Sequence, residues 1–207
     1  MNGKTVVVTG GTSGIGEVAA EALAQMGARI VLVARDSSRA DSTLARLRQR
    51  GPRLAHSVHY ADLTRLTEMK RVATQIASQE PRINVLINNA GALFAARQVT
   101  EDGLEYTFAL NHMAYFVVTE GLRKRLVASA PARIVNTASD AHHGAILDFD
   151  DLQSEKTSVP PKHTVVRSSA TSSSHANSLA ASKERVSPRT AFIPALSPRA
   201  LEIKAVA

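Results

Sequence analysis

The chain has 207 residues, 44% hydrophobic and 21% charged, enough for one domain with a substantial core. Five Phe, three Tyr and no Trp make that core aliphatic, and the absence of cysteine excludes a disulfide scaffold, a thiolate metal site and a cysteine nucleophile. No apolar run approaches the ~20 residues that span a bilayer, and Thr5-Val6-Val7-Val8 is too short for a signal peptide. A cytoplasmic protein without a membrane span is expected.

The net charge of +7 raises the question of nucleic acid. Residues 157–207 hold seven Lys or Arg against two acids, so most of the surplus sits in the last fifty residues. That segment also holds none of the 11 glycines, five of the eight prolines and the run Ser172-Ser173-Ser174. The remainder is nearly neutral and shows no basic face, so no nucleic-acid partner is expected. Composition thus divides the chain into a body, 1–156, and a tail, 157–207.

Within the body, apolar or β-branched runs alternate with amphipathic stretches. Thr5–Thr9 is the first expected strand, and Ile15, Ala19, Leu23 and Met26 mark a helix after it. Arg29–Ala34 is a second strand, followed by a weaker helix on Leu44 and Leu47. Ala55–Tyr60 is a third, followed by a helix on Leu66, Met69, Val72 and Ile76. Val85–Asn88 is a fourth, followed by a long helix from Leu104 to Leu126. Arg133–Asn136 is a fifth. Strands without alternation suit a parallel sheet covered on both faces. The repeat predicts a Rossmann-like, doubly wound α/β fold of five strands in the order 3-2-1-4-5.

The first strand runs into Thr9-Gly10-Gly11-Thr12-Ser13-Gly14-Ile15-Gly16, and a helix follows. Such glycines let the backbone turn tightly and approach a ligand, and a helix N-terminus presents free N–H groups to a phosphate. Between the first strand and the first helix, this turn reads as a dinucleotide site.

The spacing T-G-x-x-x-G-I-G resembles the short-chain dehydrogenase/reductase family, and further motifs fall in order. Asp62-Leu63 follows the third strand and Asn88-Asn89-Ala90-Gly91 the fourth. Asn111 lies in Leu110-Asn111-His112, and Ser139 ends Arg133-Ile134-Val135-Asn136-Thr137-Ala138-Ser139. Gly103-Leu104-Glu105 and Asp148-Phe149-Asp150-Asp151-Leu152 also resemble the retinol-dehydrogenase-like branch. The resemblance implies an oxidoreductase that moves a hydride between NADP(H) and a small alcohol or carbonyl substrate. It assigns the pyrophosphate to Gly10, Thr12, Ser13, Gly14, Ile15 and Gly16, adenine to Asp62 and Leu63, and the adjoining ribose to Asn89, Ala90 and Gly91. Ser139 and Asn111 are the catalytic positions it carries over. Read alone, Asp62 could cap the next helix, Asn111 could be a core amide and Ser139 a turn hydroxyl.

Cofactor choice turns on Ala34-Arg35-Asp36. An acid at the end of the second strand binds the ribose 2′-hydroxyl of NAD, whereas an arginine accommodates the 2′-phosphate of NADP. Arg35, with Arg39 nearby, points to NADP, while Asp36 leaves NAD open. No metal site is expected, because His142-His143 and the acids at 148, 150 and 151 lack ligand spacing and read as solvated surface.

The family's acid/base is a tyrosine, with a lysine four residues later that lowers its pKa. Here the tyrosines are Tyr60, Tyr106 and Tyr115, so no Tyr-x-x-x-Lys follows Ser139. Codons read from the third base of each tail codon offer an explanation. In that frame His163–Thr164 permits Tyr and Arg167–Ser168 permits Lys, four places apart. Ala170 to Ser174 permits Asn-Ile-Leu-Phe, and Phe192 to Ala195 permits His-Pro-Gly, again as the family has them. We therefore expect a frame change between about Lys156 and Pro160, a truncated sheet, a tail never selected to pack, and little or no turnover. A non-catalytic dinucleotide-binding module is the alternative reading. Substrate identity and oligomeric state do not follow from the sequence.

Overall fold

The computed structural model describes residues 1–94, 96–139 and 149–155. The expectations for His142, His143, Asp148 and residues 157–207 lie outside them.

The five expected strands form one parallel sheet. They are β1 (Thr5–Thr9), β2 (Arg29–Ala34), β3 (Ser57–Tyr60), β4 (Val85–Asn88) and β5 (Arg133–Asn136), in the order β3-β2-β1-β4-β5. Val7 on central β1 lies opposite Val31 of β2 and Leu86 of β4. Alternate residues of each inner strand feed opposite cores. Val7, Val31, Val33 and Leu86 pack with Met69, Val72 and Ile76 of α3 (Leu66–Gln79) and with Val118 and Leu122 of α5 (Ala114–Ala128). Val6, Val8, Ile30 and Leu32 pack with Ala20 and Ala24 of α1 (Gly14–Gln25) and with Leu47 of α2 (Ser37–Arg50). Each fully buried Val, Leu or Ile contributes roughly 1.5–3 kcal/mol. Burial on both faces is why these strands read as unbroken apolar runs.

Three elements depart from expectation. α1 buries Gly16, Ala20 and Ala24 most fully. Ile15, Ala19 and Leu23 of the expected stripe are half-buried, Leu23 against the core, while Met26 is 57% exposed. Small residues win that face because the helix lies close against the sheet and the glycine turn. β3 begins at Ser57, two residues later than predicted, since His56 turns its ring back toward β2, where Nδ1 accepts from the Ile30 N–H at 3.0 Å. The long fourth helix starts at Tyr106 and is interrupted. α4 (Tyr106–Phe108) leads into a wide π turn over Ala109–Met113 before α5 begins.

Two histidines sit inside the β3 edge, His56 at 6% and His59 at 4% exposure. Burial holds both below the ordinary histidine pKa.

Candidate dinucleotide site

The turn between β1 and α1 is shaped by what its glycines allow. Gly10 has φ +64°, and a Cβ there would stand 2.7 Å from the Ala90 Cα. A side chain at Gly16 would press on the Asn89 carboxamide and lie 2.5 Å from the Gly10 carbonyl oxygen. The turn, the first turn of α1 and the segment after β4 can therefore touch only because these positions carry no side chain. Ser13 stands at the N-cap of α1 in extended conformation, but its hydroxyl does not cap the helix. The N–H groups of Gly14, Ile15 and Gly16 lack intrahelical partners by geometry, which leaves a donor array at the positive end of the helix.

One cleft of about 230 Å³ runs from Gly10 and Thr12 to Arg35, Asp36 and Arg39. Asp62, Leu63, Ala90 and Gly91 line its length. The structure thus brings most of the residues singled out for cofactor binding to one surface. At its far end Asp36 caps α2: its carboxylate accepts from the Arg39 N–H at 3.0 Å and the Ser38 hydroxyl at 2.9 Å. The Arg39 guanidinium lies 3.5 Å away. The backbone hydrogen bond, then the Ser38 hydroxyl, hold the Asp36 carboxyl below its usual pKa. Arg35 is exposed and enters no ion pair among the described residues.

Asp62 does not cap the helix after it. Its carboxylate accepts from the Thr64 N–H at 3.0 Å and the Thr64 hydroxyl at 2.8 Å, fixing the turn after β3. The start of α3 is met from elsewhere, by Asp102, which accepts from the Leu66 N–H at 2.8 Å. Leu63 is buried.

At the other end of the cleft the buried Thr9 ties β1 to β4. Its hydroxyl oxygen accepts from the backbone N–H groups of Asn89 at 3.0 Å and Ala90 at 3.1 Å. The Asn89 carboxamide donates to the Gly10 carbonyl at 3.0 Å and accepts from the Thr137 hydroxyl at 3.1 Å. The Asn89 side chain is therefore directed into the protein. Asn111, in the π turn, embraces Ala92 from both sides: Oδ1 accepts from its N–H and Nδ2 donates to its carbonyl, each at 3.0 Å. An α-helical register would shift this side chain, and π turns of this kind recur at functional sites. Beneath lies a buried amide pair, in which Asn88 Nδ2 donates to Thr119 at 3.0 Å and to Asn136 at 2.9 Å. Phe94 lines the cleft and stacks edge-on against Tyr106, ring centroids 5.3 Å apart. Ser139 is half-buried, three residues past the end of β5.

Sequence reasoning missed Thr9, Thr137 and Glu105. Glu105 is 2% exposed and caps α4, its carboxylate oxygens accepting from the N–H groups of Thr107 at 2.9 Å and Phe108 at 2.8 Å. An acid just before the helical stretch was the available signal.

A family model described as short chain dehydrogenase matches residues 4–147. The chain belongs to this family. Human retinol dehydrogenase 13 is 41% identical over 152 residues, spanning 72% of this chain and 45% of that protein. Human retinol dehydrogenase 12 is 38% identical over 156 residues, spanning 75% and 49%. The chain spans about half the length of the curated relatives it matches. Among solved structures, a short-chain dehydrogenase from Sphingobium yanoikuyae in complex with NADPH matches with a TM-score of 0.69 at 30% identity, covering 86% of this chain and 65% of that one. The Pseudomonas aeruginosa RhlG/NADP complex matches with a TM-score of 0.70 at 28% identity, covering 87% and 67%. Among the described residues of this short-chain dehydrogenase family member, no helix is long and apolar enough to cross a membrane.

Proposed function

We propose that this chain binds NADP(H) in the cleft between Gly10 and Arg35, and that its family chemistry is hydride transfer between NADP(H) and an alcohol or carbonyl. A cleft that runs from the glycine turn before α1 to Arg35, which enters no ion pair among the described residues, carries the reading. The N–H groups of Gly14, Ile15 and Gly16 would hold the pyrophosphate, and Arg35 the 2′-phosphate. Asp36 already commits Oδ1 to capping α2, and its Oδ2 lies 3.5 Å from the Arg39 guanidinium, so both oxygens have partners within the protein. Asp62 and Leu63 would flank adenine. The backbone from Asn89 to Gly91 would meet the ribose. NADP-bound relatives of this fold support the choice of cofactor. When bound, the nicotinamide supplies or accepts the hydride. Ser139 would hold the substrate oxygen, and Asn111 acts as a positioning residue through Ala92.

The sequence contains no tyrosine after Tyr115, so the acid/base that hydride transfer needs is missing from these 207 residues. We accordingly assign this chain binding without turnover, in the cytoplasm, with residues 157–207 decoded out of register. Titrating NADPH and NADH by fluorescence, then assaying carbonyl reduction on the same sample, tests each part. Saturable NADPH binding, weaker NADH binding and no NADPH consumption are expected. Failure to bind sinks the cofactor assignment, and robust turnover sinks the account of the tail. A nucleotide sequence that does not spell Tyr-x-x-x-Lys one phase over sinks the frame change.

A further inference from the structure

Glu17 places a carboxylate in the first turn of α1, immediately after Gly16. By helix rise it stands only about 4.5 Å along the axis from Gly14. A phosphate at that N-terminus and the Glu17 carboxylate would lie within about one Debye length, roughly 8–10 Å, where like charges repel. The structure shows how the conflict is relieved. Glu17 is drawn away from the glycine turn onto α2, where Oε1 accepts from the Thr43 hydroxyl at 2.8 Å and pairs with the Arg46 guanidinium. Thr43 is fully buried, so this is a built contact between the helices. Arg46 also donates to Glu21 at 2.8 Å, but Glu21 has a second cation in Arg50, 3.7 Å away. Glu17 has Arg46 as its only ion-pair partner among the described residues.

We propose that Arg46, with Thr43, is a positioning residue for cofactor binding, holding and neutralising a carboxylate that would otherwise oppose the cofactor's phosphates. The proposal rests on the NADP(H) reading and adds to it two residues that need not touch the ligand. It also separates two roles that simple stability effects would merge. If Arg46 merely glues α1 to α2, every change in binding follows the change in melting temperature and persists in high salt, because the half-buried Glu17 carboxylate left unpaired in R46Q loosens the contact and its neutralisation relieves that as well. If Arg46 acts on charge, removing Glu17 as well restores binding whether or not the melting temperature recovers, and the effect fades with salt.

The test is a set of NADPH titrations at low salt on wild type, R46Q, E17Q and R46Q/E17Q, with thermal melts alongside. R46Q is expected to weaken NADPH binding by about 3- to 10-fold. R46Q/E17Q should return to within about twofold of wild type, and every difference should shrink in 0.5 M salt, where the Debye length falls to about 4 Å. E17Q alone leaves Arg46 in surplus and should bind NADPH at least as tightly as wild type, which keeps the proposal testable if R46Q folds poorly. A double variant that binds as weakly as R46Q, or an E17Q variant that binds more weakly than wild type, overturns it. Wild type that binds neither NADPH nor NADH overturns the cofactor reading itself, and this proposal with it.

Discussion

Two helices begin beside the same cleft, α1 just after its lining residues Gly10 and Thr12 and α2 at Asp36, and their N-termini are finished differently. α2 supplies its own anion, the Asp36 carboxylate, which satisfies the Arg39 N–H. α1 has Ser13 at the same position, but its hydroxyl makes no capping hydrogen bond. A helix end left open beside a cleft can accept an outside anion; a helix end already filled by a carboxylate cannot. The contrast is what the proposed binding mode uses, with the pyrophosphate at α1 and a ligand's more distant charge at the arginine-bearing start of α2.

The largest expected effect comes from closing the open end. Gly10→Ala forces a left-handed residue to carry a Cβ only 2.7 Å from the Ala90 Cα. It should abolish NADPH binding and destabilise the fold by about 2–4 kcal/mol in urea denaturation. Unchanged NADPH affinity would break the comparison at its base. Arg35→Gln tests the other end. It should weaken NADPH binding about 10- to 30-fold and leave NADH binding unaltered. Equal losses for both dinucleotides would place the arginine elsewhere than at the 2′-phosphate.

The edge strand β3, which leads to Asp62 and Leu63 of the cleft, should respond to acid. His56 and His59 are buried, and burial lowers their pKa below the ~6.5 of an unfolded chain. The unfolded state then takes up protons that the folded state resists. Stability is full above about pH 6.5 and falls as pH drops below it. Urea midpoints at pH 7.5 and pH 5 should show the decline, and His59→Leu should flatten it. The smallest effect is expected at the filled helix end. Asp36→Ala removes a cap but no cofactor ligand, so Tm should drop by roughly 2–4 °C with NADPH affinity nearly unchanged. Strong loss of NADH binding in that variant would reinstate Asp36 as a ribose ligand.

The sheet was legible because each inner strand is apolar on both faces, and because the glycine turn sits where the first crossover must begin. The cleft residues were legible through motif order, from Gly10 to Gly91. What escaped was set by distant partners. The buried face of α1 follows how closely the helix approaches Asn89, and nothing in Ile15, Ala19 or Leu23 encodes that distance. Asp62 reads as a helix cap until Asp102, forty residues later, is seen to do part of that work at Leu66. Asn89 reads as a ligand residue, but Thr137 and Gly10 claim its side chain. The π turn around Asn111 has no local signature, since its five residues, Ala109–Met113, are ordinary helix formers.

Thr9 has a mechanical consequence. A single hydroxyl receives two amides from the segment after β4, while Asn89 reaches back to Gly10 and Asn111 grips Ala92. Floor and side wall of the cleft are thereby cross-tied by hydrogen bonds. Swinging them apart to admit a dinucleotide would break those bonds. Admission falls to the long, solvent-facing arginines at the rim, whose rotamer changes take nanoseconds or less and leave the backbone where it was.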